Sequence, residues 1–162
     1  MWILLASLAF ADPEDGRYES VLSGDEIGAV IDAAIEEGAQ QYSFAVRWIV
    51  RSRLQGIRDW CTSYDIVRTG DQWSHSCDGK PPTTGTIGAD AVSIERKDKS
   101  TLTFTLRQAD GRDVTAKFMG EEGGGRQQTY KFKGDHLLLD VMVISDQLDP
   151  PVAWTLRYDL KK

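Results

Sequence analysis

The most constraining feature of this 162-residue sequence is a pair of strand-like runs near its end. Residues 135–146 form a long, largely apolar run, and residues 152–159 alternate strictly between apolar and polar side chains. A period of two is typical of a strand with one buried face. Pro150 and Pro151 lie between the runs and cannot donate ladder hydrogen bonds, so we expect a turn there. The sequence therefore predicts a hairpin from which earlier strands pair outward.

The chain from residue 63 onward repeats this strand-and-turn pattern. Short polar links such as Asp110-Gly111 and Gly134-Asp135 are typical of hairpin turns, and residues 78–88 are predicted to be a loop. About eight strands are expected, including residues 63–67, 71–77, 91–96, 101–108, 112–119 and 127–133. The predicted fold is mainly β, with an antiparallel meander (63–162) forming a barrel or half-barrel. An N-terminal helical segment (12–62) is expected to pack on or into it as part of one domain.

Two amphipathic helices are predicted in that segment. Ser23 and Glu26 form a capping box at the start of the first helix, and Gly38 is expected to end or kink it. The second covers residues 40–57 and has one broad apolar face, which contains Tyr42, Ala45, Val46, Ile49, Val50, Leu54 and Ile57. Arg53 falls within this apolar arc, so it either extends its charge to water or needs a carboxylate partner. Asp140 is the candidate partner.

The opposite side of the second helix is a candidate site for contact with an anion or a partner. Its aromatic and basic residues are Phe44, Arg47, Trp48, Arg51 and Arg58. The alternative is a solvated helix face on which an arginine lies over Trp48 as a cation–π contact.

Residues 1–11 have the character of a signal peptide. An apolar run ends in Ala9-Phe10-Ala11, which fits a small-x-small cleavage site. No Lys or Arg precedes the run, which would be explained by truncation at its start; the alternative is a buried first strand or helix. The run is too short to span a bilayer, and no transmembrane segment is expected. These features predict a periplasmic or secreted protein.

Cys61 and Cys77 are the two cysteines of the chain. Export to an oxidising compartment favours a disulfide between them. A three-residue hairpin loop at residues 68–70 would place Val67 opposite Asp71 and the two cysteines opposite each other. A metal site that adds His75 is conceivable, but no fourth ligand is evident, so we expect none.

No motif in the sequence indicates an enzyme or a bound cofactor. A nucleophile elbow is absent, and the glycine-rich segment 120–125 lacks the Gly-Lys-Ser/Thr ending of a phosphate loop. The net charge of −6 argues against nucleic acid as a partner. We therefore expect no catalytic residues and no cofactor.

The apolar face of the meander is the leading candidate for function. A barrel of this size either holds a small apolar ligand or is filled by side chains. If it holds a ligand, the expected contacts are Phe104, Phe118, Tyr130, Phe132, Leu139, Trp154 and Tyr158. If it is filled, the protein is better explained as a protein-interaction or envelope-structural domain. An interior void distinguishes the two hypotheses.

The sequence also resembles a family of uncharacterised secreted bacterial proteins described as lipocalin-like. The resemblance covers roughly residues 44–158 and is carried by residues 44–47, 51–54, 110–112, 134–139, Ser145, Leu148, 150–151 and 154–158. It implies a β-barrel or half-barrel and carries no catalytic residues. Together with the apolar face, it predicts a periplasmic or secreted protein that binds a small apolar or amphiphilic ligand inside a barrel.

Overall fold

The computed structural model describes residues 15–56, 58–96 and 98–162, so the predicted signal peptide lies outside the described residues. The chain forms two helices and ten strands in one sheet. The helices are α1 (Gly24–Gln40) and α2 (Phe44–Gln55). The strands are β1 (Gly16–Ser20), β2 (Ser63–Thr69), β3 (Gln72–Cys77), β4 (Thr83–Thr86), β5 (Val92–Glu95), β6 (Thr101–Gln108), β7 (Val114–Gly120), β8 (Gly125–Lys133), β9 (His136–Ile144) and β10 (Ala153–Leu160).

The sheet is antiparallel throughout and curls into a nearly closed barrel. Its strand order is β4-β3-β2-β1-β10-β9-β8-β7-β6-β5. The two edges approach each other near β6, where the amide of Gly88 donates to the carbonyl of Leu106 at 3.0 Å. Gly85 on β4 lies against Phe104 and Leu106, and an added Cβ would meet their side chains at 2.9 Å. The missing side chain at Gly85 thus allows the two edges to come together.

The count of about eight strands was too low because the chain contains two more short strands. β1 lies within the predicted helical segment and joins β2 to β10. Tyr18 is the one fully buried residue of β1, so the five residues of this strand show little of the apolar–polar alternation that marks a strand. β4 lies within the predicted loop 78–88 and pairs with β3. It reads Thr-Thr-Gly-Thr and has no large apolar side chain, so hydrophobic patterning could not detect it.

One half of the barrel is filled by aromatic side chains. Tyr64 packs edge-on against Tyr130 and Tyr158, with ring centroids 5.8 and 5.3 Å apart. Trp73 lies 5.3 Å from Tyr130 and 6.1 Å from Phe132. Because such tilted and edge-on contacts are favourable arrangements of aromatic rings, this half of the barrel forms a packed core.

Helix α1 covers one end of the barrel and follows the predicted pattern at its start. The side chain of Ser23 accepts from the amide of Glu26, and the Glu26 carboxylate accepts in return from the Ser23 amide at 2.8 Å. Gly38 does not end this helix, which continues to Gln40. Gly38 instead packs against buried Val152, where it has no room for a side chain. Within the described residues, no helix is long and apolar enough to cross a membrane.

The predicted partnership between Arg53 and Asp140 is wrong. Arg53 donates to the side-chain oxygen of Gln147 at 3.0 Å. Asp140 lies on the outer face of β9, where it pairs with Lys131 at 2.5 Å and accepts from Thr155 at 2.7 Å. The charged groups of Arg53 and Asp140 are both close to water, so neither residue needs the other as an ion-pair partner.

The disulfide is confirmed, although the hairpin register that predicted it is wrong. Cys61 and Cys77 are bonded, with their Cα atoms 5.4 Å apart. Thr69 pairs with Gln72, so the loop has two residues, and Tyr64 rather than Cys61 lies opposite Cys77. Cys61 precedes the start of β2 and reaches Cys77 from outside the ladder.

Replacing Gly38 with Ala should destabilise the protein by about 1–3 kcal/mol, because the new methyl group would overlap the Val152 side chain in a packed core. Gly28 on the same helix is the matched control. A Cβ there meets the movable end of Arg58, so Gly28→Ala should be neutral or stabilising by up to about 1 kcal/mol. Urea unfolding of both variants measures the difference. Equal stability of the two variants would contradict the packing described for Gly38.

Candidate ligand-binding cavity

A cavity of about 940 Å³ lies between helix α2 and the half of the barrel that the aromatic core leaves unfilled. Ligand pockets for small organic molecules are typically about 300–1,000 Å³. Much of its wall is apolar and is formed by Val46, Ile49, Val50, Leu54, Leu102, Phe118, Val143 and Leu148. The cavity has the size and the apolar walls that a small amphiphile requires.

Helix α2 acts as the cover of this cavity. Its predicted apolar face contributes Val46, Ile49 and Val50 to the cavity wall, while Leu54 is its one buried residue. An apolar stripe usually buries itself against protein. This stripe borders the cavity, which explains why an amphipathic helix stays largely unburied.

The loop after β9 links this cover to the barrel. The backbone carbonyl of Gln147 accepts from the Tyr42 hydroxyl at 2.7 Å, and its side chain accepts from Arg53. These two hydrogen bonds hold the α1–α2 connection and α2 itself above the cavity.

Three polar residues from β2, β3 and β8 line the inner part of the cavity: Tyr64, His75 and Gln128. Trp73 Nε1 donates to His75 Nδ1 at 3.1 Å, so the neutral ring carries its proton on Nε2. The Tyr130 hydroxyl donates to Gln128 Oε1 at 3.2 Å. No protein acceptor for His75 Nε2 is found in the described parts of the chain, so this donor remains available to a ligand.

Burial keeps Tyr64 and His75 neutral. It raises the pKa of Tyr64 to about 12. Burial, together with the smaller effect of the positive charge of Arg126, lowers the pKa of His75 to about 4. The site therefore offers uncharged hydrogen-bonding groups at neutral pH.

Arg126 supplies a positive charge to the cavity wall. It lies on β8 and donates from Nη1 to the backbone carbonyl of Asp59 at 3.2 Å. No carboxylate lies within ion-pair distance of it among the residues described. Its influence on the pKa values of both His75 and Tyr64 indicates that its charge acts within the cavity.

The disulfide forms another part of the wall. Asp78, next to Cys77, accepts from the amides of Thr62 and Ser63 at 2.9 and 2.8 Å. Burial opposes the charge of Asp78, but these hydrogen bonds leave its pKa below the usual value. Because both sulfurs are joined, this oxidised form offers no thiolate to the metal site considered from Cys61, His75 and Cys77.

Of the seven predicted ligand contacts, Phe118 lines the cavity. The structure buries five of the others (Phe104, Tyr130, Leu139, Trp154 and Tyr158), and Phe132 is partly buried against the same core. The period-two pattern identified the inward faces correctly. It could not show which end of each strand meets other side chains and which end meets the cavity.

The five residues of the predicted anion or partner face occupy different environments. Phe44 and Trp48 are 88% and 65% exposed. Arg51 forms a two-pronged pair with Glu36 on α1, and Arg58 pairs with Asp32 at 2.8 Å. Arg58 also lies 5.2 Å from the centre of the Trp60 ring, so its cation–π partner is not Trp48. Arg47 bonds to the carbonyls of Gln40 and Tyr42.

The cavity residues missed from the sequence share one signal. On β3, His75 lies two positions from buried Trp73 and therefore on the same face of the strand. On β8, Arg126 and Gln128 share a face with buried Tyr130 in the same way. Polar residues at inward-facing strand positions need partners inside the barrel. Their position at every second residue, on the same face as buried aromatic residues, could have indicated a cavity with polar groups in its inner part.

Sequence comparison finds no matching family model and no matching curated protein. Solved structures nevertheless share the fold over nearly the whole chain. A secretory abundant heat soluble protein from Ramazzottius varieornatus matches with a TM-score of 0.59 and 16% identity, covering 94% of this chain and 98% of that one. At such identity the match shows the fold alone.

Two further structures with this fold are described as fatty acid binding proteins. One is from Schistosoma mansoni in complex with arachidonic acid, with a TM-score of 0.55, 14% identity and coverage of 94% of this chain and 98% of that one. The other is As-p18, an extracellular fatty acid binding protein, with a TM-score of 0.52, 13% identity and coverage of 93% and 98%. The chain therefore shares the β-barrel fold of these proteins.

His75 should make stability depend on pH. A histidine in an unfolded chain titrates near 6.5, whereas folded His75 titrates near 4. Between these values the unfolded state binds the extra proton, so the free energy of unfolding falls as the pH is lowered through this window. The full loss is about 3 kcal/mol.

Unfolding of the wild type and of His75→Gln at pH 7 and pH 4.5 tests this expectation. The variant should lose less stability than the wild type on acidification. Ser74→Ala changes the residue beside His75 on β3 without removing a titratable group and is the control, because it should keep the wild-type slope. An unchanged slope in His75→Gln would contradict the buried neutral histidine.

Proposed function

We propose that this protein is a carrier that holds a single small apolar or amphiphilic molecule in the cavity beneath α2. The observation that carries the proposal is the cavity itself, because a filled scaffold has no such space. Its walls present apolar side chains from α2 and the barrel, and His75 and Arg126 supply polar contacts toward its inner part. The fold shared with fatty acid binding proteins supports the same conclusion.

We also propose that the protein acts in a secreted or periplasmic setting. The Cys61–Cys77 disulfide supports this location, because such bonds persist in oxidising compartments. The signal-peptide character of residues 1–11 agrees with export, and As-p18, which shares the fold, is described as extracellular. The proposed role is binding rather than catalysis, since the cavity residues provide no nucleophile paired with a base.

A second candidate function is a surface interaction through α2. Phe44 and Trp48 are among the most exposed large apolar residues of the described structure. Aromatic residues are enriched at protein interfaces. In this alternative the exposed pair contacts a protein partner, and the cavity is incidental.

A cavity-filling variant separates the two candidates. Ile49→Trp places a large ring on the face of α2 that lines the cavity, and it should weaken binding of a fluorescent fatty-acid analogue by about tenfold or more. Val67→Trp is the matched control, because Val67 is 54% exposed on a strand of the barrel and lies outside the cavity lining. Fluorescence titration measures both affinities.

The wild type should bind one analogue molecule per chain. Failure of the wild type to bind, or equal binding by Ile49→Trp and the wild type, would contradict the carrier proposal.

A further inference from the structure

Several positive charges are gathered around the cavity. Four basic residues line it: Arg53 on α2, Lys80 after β3, Arg96 after β5 and Arg126 on β8. Three of them are exposed and Arg126 is partly buried. They belong to four separate parts of the chain, so positive charges face the cavity from several sides.

None of these four residues has a carboxylate within ion-pair distance in the described ranges. Arg53 bonds to a neutral amide and Arg126 to a backbone carbonyl. Asp98 is close enough to Arg96 for its pKa to be affected, but its carboxylate bonds to Ser100 instead. Of the basic residues elsewhere, Arg17, Arg51, Arg58, Lys131 and Arg157 form ion pairs, whereas others, such as Lys117 and Lys133, form none within the described ranges. The four cavity residues are set apart because they line one cavity together.

This arrangement is unexpected for a chain with a net charge of −6. Asp59 is the acidic residue among those that line the cavity, so the lining carries more positive than negative charge. Like charges gathered without counterions repel one another, and an anion placed among them relieves that repulsion.

The position of the charges also suggests how a ligand would lie. Arg53, Lys80 and Arg96 come from α2 and from the turns after β3 and β5, at the open end of the barrel, whereas the aromatic core closes the other half. Arg126 lies closer to His75 and Tyr64, since its charge affects the pKa values of both. The charges therefore extend from the rim toward the interior of the cavity.

From this arrangement we infer that the ligand carries a head group with more than one negative charge, such as a phosphate monoester. The head group lies at the cavity mouth among Arg53, Lys80 and Arg96, Arg126 adds positive charge from farther inside, and the apolar chain extends along α2 and Phe118. A phosphate monoester carries about −1.5 to −2 charges at neutral pH and has three acceptor oxygens, so it can engage several cations at once. This inference deepens the proposed carrier function and depends on it.

The test compares amphiphiles that share a twelve-carbon chain and differ in charge. Dodecyl phosphate, laurate and dodecyltrimethylammonium are titrated below their micelle-forming concentrations against the oxidised full chain, and inorganic phosphate is titrated alone. Dodecyl phosphate should bind about fivefold to tenfold more tightly than laurate, with the cationic amphiphile weakest. Inorganic phosphate should bind far more weakly than dodecyl phosphate, because it lacks the apolar chain.

A pair of double variants tests the role of the rim. Lys80→Gln/Arg96→Gln should reduce the preference for dodecyl phosphate over laurate to about twofold or less. Lys117→Gln/Lys133→Gln removes the same charge from β7 and β8 at positions that do not line the cavity, and it should keep the wild-type preference.

The outcomes separate the two proposals. If neither dodecyl phosphate nor laurate binds, the carrier function itself is wrong. If both bind with equal affinity, or if the two double variants behave alike, the carrier function stands and the inference about the head group is overturned. Inorganic phosphate binding as tightly as dodecyl phosphate would also overturn it, because the site would then recognise a free anion.

Discussion

The structure depends on how unevenly aromatic side chains fill the barrel. Tyr64, Trp73, Tyr130 and Tyr158 pack against one another and close one half of the interior, where Tyr130 and Tyr158 are fully buried. Rings of this size bury large apolar areas and dominate core energetics. Because they are concentrated toward one end, the other end is left with smaller side chains and an open volume. The same packing thus provides stability and defines the inner boundary of the cavity.

Helix α2 completes this arrangement at the open end. Much of its apolar stripe lines the cavity, while Leu54 lies in the core and Val50 packs against it. Polar contacts with α1 and the loop after β9 add to its attachment. A helix held mainly at its margins can be displaced at lower cost than one embedded in a core. This property suits a cover that must admit a ligand.

The sequence predicted the inward faces of the strands well because the period-two pattern directly reflects burial on one side of a sheet. The alternation of Val152, Trp154, Leu156 and Tyr158 is an example, and all four are buried. The capping box at Ser23 was also predictable, since it depends on residues three positions apart. These features are local, and local patterns are readable from a single sequence.

The features that could not be predicted depend on how the sheet closes into a barrel. β4 has no hydrophobic pattern: it pairs with β3, and its other edge approaches β6, where Gly85 leaves room for Phe104 and Leu106. The sequence also could not show which inward-facing residues line the cavity: of the seven expected contacts Phe118 lines it, and the other six pack in or against the core. Arg126 was not singled out and His75 was considered only as a metal ligand, because a polar residue on a strand is usually outward-facing. The structure places both on inward-facing positions of β8 and β3.

The most direct test of a ligand-holding barrel is native mass spectrometry of the oxidised protein after export to a bacterial periplasm. The account predicts a species heavier than the polypeptide by the mass of one small molecule, which is lost on denaturation and is absent from Ile49→Trp. A bare polypeptide mass that persists after incubation with excess dodecyl phosphate and laurate would contradict it.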